Sequence, residues 1–171
     1  ARVMLDDERI QLVLPYPISA NRYWATRVIP GRPARSGKAA RKAMAITYVT
    51  TEAEQYRKDV STLATRAGIV ALRGRVAMTI RLYPHRPQDW AKRARKDPDN
   101  WADTVQCIDL GNCEKVLSDA LNGIAWQDDK QLHRIQLERA EPDEHGARVV
   151  VTITALQREL VAPGLFEGAA A

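Results

Sequence analysis

Residues 108–131 read IDLGNCEKVLSDALNGIAWQDDKQ. Cys113, Val116, Leu117, Ala120 and Leu121 recur at helical spacing, and Asn122-Gly123 ends the run, so the stretch predicts a helix at about 110–122. Asp109 stands at its N-terminal start, Lys115 and Asp119 fall on its polar side, and Asp128-Asp129 lies in the turn before the next strand. If the helix lies beside that strand, the pair can be carried back towards Asp109. Carboxylates that converge must either bind a cation or raise each other's pKa. Loop carboxylates gathered with one lysine are the parts of a metal-dependent phosphodiesterase, and Gly111 sits where a further carboxylate would complete the set.

The elements around this stretch are short and mixed. Residues 10–14 form an apolar strand closed by Pro15 and Pro17. Thr51-Glu-Ala-Glu54 reads as a capping box opening a helix with Ala53, Tyr56, Val60, Leu63, Ala64 and Ala67 on its apolar stripe, ended by Gly68. Val76, Met78, Ile80 and Leu82 alternate with Arg75, Ala77, Thr79 and Arg81 in a half-buried strand. Residues 132–139 and 148–156 alternate likewise, and Glu141-Pro-Asp-Glu-His-Gly146 is expected to join them as a hairpin. The order predicts one α+β domain, a mixed sheet with helices packed on it. Its core is expected over 9–156, after an N-terminal extension (1–8) and before a C-terminal tail (157–171).

Charge is unevenly placed along these 171 residues, whose net charge is +5. From Ile10 to Thr51 there is no acid, while Arg22, Arg27, Arg32, Arg35, Lys38, Arg41 and Lys42 all fall there. Residues 22–50 are therefore read as a basic, mobile arm, with a short helix near 39–45. The long connection 84–107 carries Arg86, Lys92, Arg93, Arg95 and Lys96, and Trp90 and Trp101 are expected to pin it by packing. Two basic segments flanking an acidic cluster suggest a polyanion around a cation site, although solvated loops would look the same. Nucleic acid is the expected partner, and no membrane segment is expected. Two cysteines without metal-finger spacing read as reduced thiols of an intracellular protein, and His85, His133 and His145 lack zinc spacing.

At these residues the chain resembles the RusA family of Holliday-junction resolvases. The family pattern is a basic run, Asp-x-Asp-Asn, a helical lysine, Asp-Ala-Leu, and an Asp-Asp pair before a strand. Asp109-Leu-Gly-Asn112, Lys115, Asp119-Ala-Leu121 and Asp128-Asp129 follow it. Leu14-Pro-Tyr-Pro-Ile-Ser-Ala-Asn-Arg-Tyr23 is similar to the family's opening segment, and Thr51-Glu-Ala-Glu-Gln-Tyr-Arg57 to its first helix. The resemblance covers roughly residues 10–155. It implies a small homodimeric endonuclease that places paired nicks across four-way DNA junctions, using Mg²⁺ with Mn²⁺ able to substitute, in the cytoplasm of a bacterial or phage-infected cell. A four-way junction is two-fold symmetric in its backbone, and a C2 dimer presents two sites to it.

Carried over by resemblance, Asp109 is the first metal-binding carboxylate, Asp129 the third with Asp128 supporting it, and Lys115 the lysine beside the scissile phosphate. The second carboxylate falls at Gly111. Either the backbone there demands glycine, or an aspartate has been replaced and the site disarmed, leaving a junction-binding protein. Asp97-Pro-Asp-Asn100 offers a rival register, but it needs about a dozen inserted residues before Lys115. Asn112 reads as a helix cap or a site residue. Tyr23 and Trp24 read as base-stacking or core aromatics. Arg22, Arg27, Arg32, Arg35, Lys38, Lys92, Arg93, Arg95 and Lys96 are the expected DNA contacts. An assembly protein whose arm binds an acidic partner, or an RNA substrate, would carry the same charge.

Overall fold

The computed structural model describes residues 3–6 and 9–156; the expected tail (157–171) lies outside them. Strands β1 (Val3–Asp6), β2 (Arg9–Pro15), β5 (Arg75–Tyr83), β6 (Leu132–Arg139) and β7 (Arg148–Leu156) form one sheet in the order β1-β2-β7-β5-β6. All neighbours are antiparallel except β5 and β6, which run parallel. A separate two-stranded ribbon holds β3 (Trp24–Ile29) and β4 (Met44–Val49). The helices are α1 (Ala20–Tyr23), α2 (Thr51–Arg66), α3 (Trp90–Lys96) and α4 (Leu110–Leu121), with 3-10 turns at Trp101–Thr104 and Asp129–Gln131.

The alternation read in β5 holds. Val76, Met78, Ile80 and Leu82 turn inward with Leu12, Leu14, Val149, Val151 and Ile153 from the neighbouring strands. Against them lie the α2 face (Ala53, Tyr56, Val60, Ala64) and the α4 face (Cys113, Val116, Leu117, Ala120, Leu121). This is the α+β architecture that the sequence predicts.

Four local expectations are corrected. Residues 132–139 and 148–156 are strands but not a hairpin, because β5 lies between them, parallel to β6 and antiparallel to β7. Their connection passes the end of β5, where the Ala140 N–H donates to the Leu82 carbonyl at 2.8 Å. Alternation marks a strand and which face it buries, not its neighbour.

The basic arm is a β-ribbon with no helix at 39–45. Its register pairs Trp24 with Val49 and Ile29 with Met44, and isolated bridges Arg32↔Arg41 and Arg35↔Lys38 extend it. Gly37, at φ 79°, makes the tip turn. Gly31 allows close approach, since a Cβ there would lie 2.6 Å from the Arg41 carbonyl oxygen. Charge and prolines obscured the strand signal of Trp24-Ala-Thr-Arg-Val-Ile29 and Met44-Ala-Ile-Thr-Tyr-Val49.

The capping box does not form at Thr51, because Thr50 is the cap. Its Oγ1 accepts from the Ala53 N–H and donates to the Arg22 carbonyl at 2.7 Å. The same hydroxyl thus starts α2 and fastens it to α1. Asn112 does not cap α4; Asp109 occupies that position without a side-chain cap bond, and Asn112 donates to Asp109 Oδ2 at 3.4 Å.

Residues 84–107 contain α3 and a 3-10 turn pinned by Trp90 and Trp101, whose ring centroids are 6.1 Å apart, and Arg86 stacks on Trp90. At the turn into β7, Arg148 makes two bonds of 2.7 Å to Asp143 and lies over the Tyr83 ring. This hydrogen bonding to Arg148 is the main reason the Asp143 carboxyl titrates at about 2. A lowered carboxyl pKa contributes stability above the unfolded value of ~3.9, lost as pH falls through about 2. Acid titration by circular dichroism is expected to show part of the stability loss between pH 4 and 2, and Asp143→Asn is expected to remove that part of the pH dependence.

Candidate active site and nucleic-acid interface

Helix α4 presents the candidate chemistry on its outer side. Asp109 and Lys115 are both exposed, six positions apart, or about 9 Å along the helix axis. Tyr16 fixes the approach to this helix start. Its hydroxyl accepts from the Ile108 N–H at 2.9 Å and donates to Cys107 Sγ at 3.5 Å, and burial pushes its pKa up to about 12. Residues 104–108 also line a cavity of about 530 Å³ with Tyr16, His85 and Arg93. Tyr16 was visible in sequence only as part of the proline-flanked segment after the first strand; nothing local tied it to residue 108.

Gly111 is exposed, in the first turn of α4. It is not among the positive-φ glycines, and a Cβ built on it meets nothing within 4 Å. Neither backbone nor packing therefore demands glycine, and the conformational reading of Gly111 is set aside.

Asp128 and Asp129 do not join Asp109 within one chain. Helix α4 does lie beside β6, but the pair stays at its C-terminal end. Twelve residues of α4, about 18 Å of helix, separate that end from Asp109. The opposite end of β6 returns to the helix start, where Arg139 donates to the Val105 carbonyl at 2.6 Å. Asp128 caps the 3-10 turn by accepting from the Lys130 N–H, and Asp129 Oδ1 accepts from the buried Trp126 indole N–H at 3.2 Å. Gln131, which sequence reading passed over, ties this turn to the Leu72 and Gly74 carbonyls at 2.9 Å each. Among the described residues no three His, Cys, Asp or Glu side chains form a metal-holding group. One exposed carboxylate at the start of α4 fits Mg²⁺ only as a weak site, completed by waters and substrate phosphates.

Asp119 serves a different purpose. It accepts a hydrogen bond from the Tyr23 hydroxyl and lies 3.7 Å from Arg57, joining α4 to α1 and α2. Tyr23 is fully buried, its pKa raised first by burial and then by Asp119, so it is a core aromatic and not a base-stacking one. Trp24 is half-buried with its ring 4.5 Å from that of Tyr23. Asp97 Oδ1 accepts from the Asn100 backbone N–H at 3.2 Å, so Asp97-Pro-Asp-Asn100 forms a self-bonded turn.

The basic residues divide by what they touch. Arg22 pairs with Glu52 at 2.9 Å on the surface. Arg93 is committed to Asp89 at 2.9 Å and Thr104 at 3.1 Å, which leaves Lys92, Arg95 and Lys96 as the exposed cations of α3. Arg27 lies exposed on the ribbon, and Arg32, Arg35, Lys38 and Arg41 line a concavity at its tip.

An α+β domain with a basic ribbon, a basic helix and an aspartate and lysine exposed on one helix is built to meet a phosphate backbone. The family model described as Endodeoxyribonuclease RusA matches residues 30–154, and the chain belongs to this RusA family of Holliday-junction endonucleases, hydrolases of phosphodiester bonds. A search of the curated proteins returns no match. No helix among the described residues is long and apolar enough to cross a membrane.

Proposed function

We propose that this protein is a Mg²⁺-dependent endonuclease that resolves four-way DNA junctions by paired symmetric nicks, with cleavage weakened by Gly111. The observation that carries the proposal is the pairing of Asp109 and Lys115 on the exposed side of α4, in a chain of this family. Asp109 supplies a hard oxygen donor for the cation. Bound Mg²⁺, or Mn²⁺ in its place, polarises a phosphoryl oxygen and lowers the pKa of the attacking water. Lys115 stabilises the charge that builds on the phosphoryl group in the transition state.

Because α4 separates Asp109 from Asp128-Asp129, the pair reaches the same phosphate only from a second chain. A homodimer is therefore part of the proposal, and each site draws on both copies. Labelled four-way junction incubated with Asp109→Asn or Asp129→Asn alone is expected to stay intact. A mixture of the two variants is expected to recover about a quarter to a half of the activity, since some mixed dimers hold one whole site. A mixture as inactive as its parts would remove the shared site; unimpaired single variants would remove these aspartates from the chemistry.

The open position at Gly111 favours a second reading, a junction-binding protein that does not cut. Tight, four-way-selective binding with no nicks in either Mg²⁺ or Mn²⁺ would favour it.

A further inference from the structure

We propose that the β3–β4 ribbon is a groove-reading arm that lies in the major groove of one duplex arm flanking the branch point. This deepens the DNA-substrate reading and rests on it.

The ribbon stands apart from the core. Residues 30–48 are all exposed, and β3 and β4 pair only with each other. A lone two-stranded hairpin is marginal in water. This one is further burdened by two successive like-charge pairs across its strands, Arg32↔Arg41 and Arg35↔Lys38. No acid occurs between Glu8 and Glu52 to relieve them. A surface with such a charge pattern and no internal counter-charge matches a polyanion.

Shape selects the groove. Two strands lie about 4.8 Å apart, and with their side chains they fill the ~12 Å major groove but exceed the ~6 Å minor groove. Each six-residue strand extends about 20 Å. The register places Arg27, Ile46, Tyr48 and Met44 on one face and the Thr26–Thr47 hydroxyl pair, 3.2 Å apart, on the other. Val28, Met44, Ile46 and Tyr48 are exposed apolar groups suited to sugar edges and thymine methyls, while the tip arginines suit phosphates or guanine O6 and N7. A second copy of the chain would bring an equally basic ribbon to this surface, so DNA is the better occupant.

The test compares the full chain with a tip variant carrying Arg32→Gln, Arg35→Gln, Lys38→Gln and Arg41→Gln. Guanine N7 methylation is read on a four-way junction with long arms and on linear duplex. The wild-type chain is expected to protect guanines in one arm, several base pairs from the branch point, and the variant to lose that protection while keeping protection at the branch. The slope of log binding constant against log salt is expected to fall by about 3 to 4, close to 0.9 per phosphate released. Unchanged distal protection in the variant, protection of adenine N3 in the minor groove, or a change in dimerisation with no change in protection would each overturn the arm assignment while leaving junction cleavage standing. Equal affinity of the wild-type chain for junction and linear duplex would instead overturn the junction reading, and distal N7 protection on linear duplex would still decide the arm.

Discussion

Gly111→Asp is expected to raise Mg²⁺-dependent cleavage of a four-way junction on the order of 10²-fold, the scale of one preorganised charge contact at about 2.7 kcal/mol. The new carboxylate would stand two residues after Asp109 and one helical turn before Lys115. With open space around the position, no rearrangement opposes it. Two carboxylates plus substrate phosphates meet the usual demand of Mg²⁺ better than one. Fold stability is expected to rise as well, by roughly 0.5–1 kcal/mol, because glycine is a poor helix former and an acid in the first turn suits the helix dipole. Single-turnover cleavage across a Mg²⁺ titration checks the first effect and chemical denaturation the second. A stabilised protein with an unchanged cleavage rate would show that residue 111 lies away from the metal.

Trp126→Ala is expected to destabilise the domain by about 3–5 kcal/mol, enough to unfold much of the population at physiological temperature. Trp126 is fully buried just past the C-terminus of α4, and its backbone carbonyl accepts from the Gly123 N–H at 2.8 Å. Removing the indole leaves a large cavity among α4, Leu72 and the start of β6. Trp126→Phe keeps most of the volume and removes only the N–H that holds Asp129. That variant is expected to cost about 1 kcal/mol. Measured side by side on cleavage, it separates the two tasks of Asp129. A stable Trp126→Phe protein with altered metal dependence would mean that the indole positions a functional carboxylate; unaltered metal dependence would confine the contact to the fold.

The sequence alone determined the strands and helices whose signals are local. The apolar stripe of α4, the alternation of β5, the Asn122-Gly123 stop and the Asp109–Lys115 spacing each depend on neighbours within a few residues, so periodicity and turn chemistry suffice to read them. The family resemblance came from the same short segment. What the tertiary structure decided was which of these pieces meet. Strand β5 inserts between β6 and β7, Tyr16 seats residue 108 across a gap of 92 positions, and Tyr23 turns into the core towards Asp119. The two-strand arm emerged from a stretch whose basic composition hid its alternation. Above all, Asp109 and Asp129 sit at opposite ends of a helix whose length is fixed by its backbone hydrogen bonds. Sequence spacing gives that length but not the direction in which the chain returns, and the return is set by the sheet order and by Gln131 fastening the turn at the far end.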